Sequence, residues 1–74
     1  MANNEFEKFN KDLGKQIQNL RVQRGLTQEE LAELVGMDRV SIGYIEQGIR
    51  APKLSTLLRI SKALKISIQE LLPR

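Results

Sequence analysis

Apolar residues recur at helical spacing from the beginning of the chain. The first run falls at steps of three or four, as one face of an α-helix requires, and comprises Phe6, Phe9, Leu13, Ile17 and Leu20. The spacing predicts a helix from about Glu5 to Arg24. Gly25 follows, and glycine readily takes the left-handed conformation that ends many helices.

A capping box marks the start of a second helix. Thr27 is followed three residues later by Glu30, so that the hydroxyl and the carboxylate each accept a hydrogen bond from an otherwise unpaired backbone N–H. The helix is expected to end at Gly36. Its predicted inward-facing residues are Leu31, Leu34 and Val35.

Three further helices are predicted after Gly36. Asp38 is an N-cap candidate for a helix that runs through Val40, Ile42 and Ile45 and ends at Gly48. A fourth follows Pro52, and its apolar positions are Leu54, Leu57, Leu58, Ile60 and Leu64. Ser67 and Glu70 form a second capping box, opening a last short helix that ends at Pro73. No segment alternates as a strand would, so an all-α fold of five helices is expected.

The second and third helices have the features of a helix-turn-helix over residues 28–47. Ala32 is small enough to let the two helices cross closely, and Gly36 tolerates positive φ in the short turn. Ile42 and Ile45 fill the angle between the helices. This arrangement presents its second helix to a DNA major groove.

Composition excludes several kinds of function. The 74 residues predict one domain, 1–74, and contain neither Cys nor His, which removes disulfides, thiolate metal sites and the commonest general base. No nucleophile with an adjacent base and no phosphate-binding loop is visible, so neither an enzyme nor a cofactor is expected. No apolar run approaches the roughly 20 residues of a membrane span, and a cytoplasmic protein is expected.

Charge is unevenly distributed along the chain. The net charge of +3 divides into +2 for residues 1–26, −4 for residues 27–48 and +5 for residues 49–74. Such runs are usually solvated surface. A basic balance also favours an anionic partner, which the acidic middle segment would restrict to specific contacts.

The stretch RVQRGLTQEELAELVGMDRVSIGYIEQG, followed by RAPKLSTLLRISKAL, resembles the Cro/repressor-type (Xre) helix-turn-helix family. The resemblance covers roughly Leu13 to Leu72. It implies a lambda-repressor-like five-helix bundle acting as a transcriptional regulator. Such a regulator would bind a pseudo-palindromic operator in double-stranded DNA as a homodimer, without a small-molecule ligand, and would be nucleoid-associated when bound. Phage repressors and restriction-modification controllers are similar small members.

The resemblance places a set of DNA-contacting residues on the outer face of the third helix: Arg39, Val40, Ser41, Gly43 and Tyr44. Arg39 can pair with guanine O6 and N7, or form a surface ion pair with Asp38 or Glu33. Val40 can contact a thymine methyl. Ser41 can bond DNA or its own helix. Gly43 departs from the family, which often has a base-reading side chain there. A glycine can let the helix approach DNA closely, with Tyr44 either reaching a base or phosphate or serving as a half-buried packing residue.

Backbone contacts are expected from both ends of the motif. The resemblance implies that Gln28, at the start of the second helix, meets a phosphate or an operator edge; the alternative is a solvent-exposed residue of the first turn. Thr27 is primarily a cap, and its N–H can also meet a phosphate. Arg50 and Lys53 occupy positions where the family binds phosphates; the alternative is that they only solubilise the loop.

The same resemblance assigns two further sets of residues to holding the protein together rather than to contacting DNA. Arg21 and Glu46 match an internal ion pair that joins the first helix to the end of the third. The C-terminal apolar residues are expected to close the bundle and to form a dimer interface: Ile66, Ile68, Leu71 and Leu72. Phe6 and Phe9, outside the shared motif, either extend the core or add to the dimer contact.

The alternative function is a protein-interaction module with the same fold, such as an anti-repressor or an antitoxin-like partner.

Overall fold

The computed structural model describes residues 4–73, which form five α-helices and no strand. The helices are α1 (Asn4–Gln23), α2 (Gln28–Val35), α3 (Arg39–Glu46), α4 (Leu54–Leu64) and α5 (Ile68–Leu71). The predicted all-α fold is confirmed, and α1 begins and ends one residue earlier than its spacing predicts. Within residues 4–73, no helix is both long enough and apolar enough to cross a bilayer.

Both predicted capping boxes are formed. At α2 the Glu30 N–H donates to the Thr27 hydroxyl at 3.0 Å, and the Thr27 N–H donates to the Glu30 carboxylate at 2.9 Å. Ser67 and Glu70 make the equivalent pair of bonds at the start of α5. Gly36, with φ of +80°, ends α2 in the left-handed conformation. These reciprocal bonds fix the N-termini of α2 and α5 locally.

One apolar core lies between the five helices. Each fully buried aliphatic side chain contributes about 1.5–3 kcal/mol relative to an exposed one. Ala32 is 2% exposed at the contact between α2 and α3, as its small size predicts. The other core residues are Leu13, Ile17, Leu31, Val35, Ile42, Ile45, Leu57, Ile60, Leu64 and Leu71.

One residue predicted to face inward does not, and two apolar positions of α4 are also exposed. Leu34 is 60% exposed, because α2 packs on α3 and α4 with its Leu31 and Val35 side and leaves Leu34 outside. On α4, Leu54 and Leu58 are likewise exposed. Leu57, Ile60 and Leu64 already fill the narrow face that α4 turns inward.

The first two turns of α1 also lie outside the core. Phe6 is 68% exposed and Phe9 is 43% exposed. The 20-residue α1 packs on the eight-residue α3 and the four-residue α5, so its N-terminal turns extend beyond them. Of the two alternatives for the phenylalanines, extension of the core is therefore wrong.

Backbone meets backbone where α1 crosses the end of α3. A Cβ atom added to Gly14 would lie 2.5 Å from the carbonyl oxygen of Glu46 and 2.7 Å from its carbonyl carbon. Beyond α3, a Cβ on Gly48 would lie 2.7 Å from the Cα of Lys11, and Gly48 has φ of +78°. The sequence pattern did not predict this close approach, which sets the position of α3 relative to α1.

Candidate nucleic-acid interface

The cap of Asp38 fixes where α3 begins. Its carboxylate accepts the Ser41 N–H at 2.7 Å, and hydrogen bonds from Ser41 hold the pKa of Asp38 below its ordinary range. The carboxylate form is therefore the one that caps α3, and its contribution is lost as the pH falls through that lowered pKa. Ser41 thus bonds its own helix through its backbone, and its side chain is half-buried.

The first turn of α3 points away from the core. Arg39 is exposed, and the two ion pairs among residues 4–73 are Lys8–Asp12 and Arg21–Glu46. The alternative pairing of Arg39 with Asp38 or Glu33 is thus not formed. Val40, 52% exposed, does not belong to the core. α3 therefore presents an unpaired guanidinium next to an exposed apolar side chain.

Tyr44 and Arg50 stack on the same side of the molecule. The guanidinium carbon of Arg50 lies 5.4 Å from the centroid of the Tyr44 ring, within the range of a cation–π contact. The Tyr44 carbonyl accepts the N–H of Ile49 at 3.0 Å and that of Arg50 at 3.3 Å. Arg50 and Lys53 line one groove between the α3–α4 loop and α4, together with Arg59. The structure thus brings the predicted cations of the loop beside α3.

Gly43 was predicted on the outer face of α3 but is buried, and yet packing within the chain does not require a glycine there. A Cβ there would lie 3.9 Å from Nε2 of Gln28 and 3.9 Å from Nε2 of Gln47, both ordinary van der Waals distances. Gln47 is exposed and was not among the predicted site residues. Its position four residues after Gly43 was the available signal, because residues four apart share a helix face.

The N-terminus of α2 offers other donors than expected. The Thr27 N–H donates to Glu30 in the free chain, so the predicted phosphate contact through this N–H would have to replace that hydrogen bond. The capping box leaves the N–H groups of Gln28 and Glu29 without an acceptor among the described residues. The Gln28 side chain is half-buried and donates from Nε2 to Oε1 of Glu46 at 3.0 Å.

The predicted pair of Arg21 and Glu46 lies beneath this surface. Nε of Arg21 donates to Oε2 of Glu46 at 2.7 Å, and Nη2 donates to Oε1 at 3.2 Å. The side chains are 10% and 2% exposed. Nη1 of Arg21 donates to the Leu26 carbonyl at 2.7 Å. The pair therefore links α1, the loop before α2 and the end of α3.

The predicted dimer residues do not share one environment. Leu71 is fully buried in the core of its own chain, so it has no surface for a second chain and is removed from the predicted interface. Ile66, Ile68 and Leu72 are partly buried against the core and keep some exposed surface.

Comparison with known proteins agrees with this geometry. The family described as Helix-turn-helix matches residues 17–71. The control protein C.SmaI of Serratia marcescens is 40% identical over 62 residues, which are 84% of this chain and 74% of that protein. The crystal structure of the restriction-modification controller protein C.AhdI from Aeromonas hydrophila has a TM-score of 0.85 and 37% identity, over 88% of this chain and 94% of that one.

A third relative was crystallised with DNA. The P22 c2 repressor, in complex with a synthetic operator, has a TM-score of 0.76 and 33% identity, over 81% of this chain and 91% of that one. The chain therefore belongs to the helix-turn-helix family of DNA-binding transcriptional regulators, of the restriction-modification controller and phage-repressor type, and is not an enzyme.

Proposed function

We propose that this protein binds a pseudo-palindromic operator in double-stranded DNA as a homodimer, in the cytoplasm, and regulates transcription from it. The observation that carries the proposal is the outer face of α3, where Arg39 is exposed and free of any ion pair among residues 4–73. A planar guanidinium with free donors can bind guanine O6 and N7 together. Val40 beside it suits a thymine methyl.

Contacts with the DNA backbone would flank this reading face. Arg50 and Lys53 supply the cations on one side, and Tyr44 holds Arg50 in place through its ring. On the other side, the free N–H groups of Gln28 and Glu29 point from the N-terminus of α2, which attracts anions. Such contacts give affinity and salt dependence without sequence information.

A second copy would join through the α5 end. Ile66, Ile68 and Leu72 are the predicted residues that keep exposed surface there. A two-fold dimer places its recognition helices about 34 Å apart, one turn of B-DNA, so the two half-sites of the operator would be separated by that distance.

Selection of bound fragments from genomic DNA at two salt concentrations tests the proposal directly. We expect enrichment of one two-fold symmetric sequence, and binding that weakens steeply with salt because cations displace counterions from the phosphates. Sedimentation of the complex measures how many chains are bound. Uniform weak binding to all fragments, or one chain per site, would contradict it.

Substituting Arg39 with alanine should reduce selectivity without unfolding the protein. We expect a loss of about 1–3 kcal/mol at the enriched sequence and little change on random DNA, since a bidentate contact to guanine carries that discrimination. Equilibrium binding to both duplexes and a thermal melt measure this. Because Arg39 is exposed, the melting temperature should not change.

The rival function is a protein-interaction module. The observation that favours it is the acidic outer surface of α2, where Glu29, Glu30 and Glu33 are all exposed. In that case Arg39→Ala would leave DNA binding unchanged, because the wild-type protein would show only the nonspecific attraction of its basic segments.

Substituting Gly43 with alanine should separate folding from binding. We expect the free energy of unfolding to rise by about 1 kcal/mol, because alanine is the better helix former and its methyl group has room. Affinity for the enriched sequence should fall if α3 approaches DNA closely at Gly43. Urea unfolding and binding titrations measure the two effects. A destabilised variant would show that the space beside Gly43 is occupied in the folded protein.

A further inference from the structure

We infer that Glu46 is a positioning residue for DNA binding, because it fixes the side-chain amide of Gln28 with its NH2 group turned inward. Glu46 thereby determines which polar group of Gln28 is presented at the surface proposed to meet DNA. The inference rests on the proposed function and adds to Glu46 a role beyond its pairing with Arg21.

The chemistry of a carboxylate determines the orientation. The Glu46 side chain is 2% exposed, and its Oε1 atom accepts Nε2 of Gln28 at 3.0 Å and Nη2 of Arg21 at 3.2 Å. An ionised carboxylate can only accept hydrogen bonds. The amide of Gln28 must therefore direct an N–H toward Glu46, and its carbonyl oxygen and second N–H are left for other partners.

The third hydrogen bond is not needed to complete the ion pair. Arg21 already donates to both oxygens of Glu46. The additional bond holds the first residue of α2, whose amide nitrogen also lies 3.9 Å from where a Cβ of Gly43 would be. The amide is thus fixed beside Gly43, a buried residue of α3 that has no side chain of its own.

Fixing this amide in the free protein has a consequence for affinity. A free glutamine side chain has several rotatable bonds and loses their freedom when it is immobilised in a complex. Because Glu46 holds Gln28 before DNA arrives, that loss is not incurred on binding, which is the general effect of preorganisation. Glu46 would therefore affect DNA affinity through Gln28 even though its own side chain is buried.

A double-mutant cycle on DNA affinity separates this role from a structural one. The variants are Gln28→Ala, Glu46→Gln and the double variant. Each is titrated against the duplex enriched in the selection and against a random-sequence duplex, at a temperature where its circular dichroism shows it folded. The substitution Glu46→Gln keeps the side-chain size, but its own NH2 group can face Gln28 and reverse the amide.

We expect each single variant to bind the enriched duplex about tenfold more weakly, the effect of roughly one hydrogen bond. The double variant should bind no more weakly than Gln28→Ala alone, because Glu46 acts through Gln28. If Glu46→Gln weakens binding by the same factor with and without Gln28, or does not weaken it, the inference is wrong. Failure of wild-type protein to prefer any duplex would instead contradict the proposed function.

A second measurement needs no variant and no DNA. Exchange of side-chain amide protons with solvent is measured by NMR in the free protein, with the exposed Gln69 as internal control. One amide proton of Gln28 should exchange more slowly than those of Gln69, because it is bonded to a buried carboxylate. Equal exchange rates at Gln28 and Gln69 would overturn the inference, whatever the variants do.

Discussion

Substituting Gly14 with alanine is expected to lower the free energy of unfolding by about 3 kcal/mol, at the upper end of the usual cost of overpacking. The new Cβ would lie 2.5 Å from the carbonyl oxygen of Glu46, and that oxygen belongs to backbone rather than to a flexible side chain. The methyl group can be accommodated only if α1 and α3 move apart. This cost exceeds the roughly 1 kcal/mol that alanine gains as a helix former.

Thermal and urea unfolding followed by circular dichroism would measure the effect. For a domain of this size, about 3 kcal/mol corresponds to a fall in melting temperature of about 15 °C. Gly43→Ala is the matched control, because it adds the same methyl group to a helix where nothing lies closer than 3.9 Å. A Gly14→Ala variant as stable as wild type would mean that α1 does not cross α3 at this distance.

Substituting Arg21 with methionine should have a comparable effect for an electrostatic reason. It leaves the Glu46 carboxylate, 2% exposed, without its cation and removes the donor to the Leu26 carbonyl. Breaking a buried ion pair by removing one partner costs about 3–5 kcal/mol, since the remaining charge is desolvated without compensation. Urea unfolding at neutral pH measures the loss.

The double variant Arg21→Met with Glu46→Met tests that explanation. Removing both charges leaves no uncompensated buried ion, so the double variant should be more stable than Arg21→Met alone. A control is Lys8→Met, which breaks the exposed ion pair with Asp12 and should cost less than about 1 kcal/mol. The single variant Glu46→Met completes the comparison. If the double variant loses as much unfolding free energy as the two single variants together, the pair does not act as a unit.

The helix boundaries could be predicted because their signals are local. Thr27 with Glu30, and Asp38 with the N–H of Ser41, form bonds over three residues, so they depend on nothing distant. One boundary gave no such signal. α4 ends at Leu64, and its C-cap Lys65 has φ of +60° although it is not glycine, a conformation that sequence pattern does not predict for lysine.

The burial of single leucines could not be predicted. Leu34 follows Leu31 by three residues and shares much of its helix face, yet Leu31 is fully buried and Leu34 is 60% exposed. The difference depends on where α3 and α4 cross α2. Periodicity indicates that a helix has an apolar face, but the width of the face that is covered is decided by the neighbouring helices.

Local signals were enough to predict the five helices and the helix-turn-helix, because capping and periodicity act between residues close in the chain. The packing of the helices, by contrast, makes Gly14 essential to the crossing of α1 and α3, buries Leu71 in the core and brings Gln28 to Glu46. Those contacts join residues 18 or more positions apart, and no local pattern encodes a distance between helices.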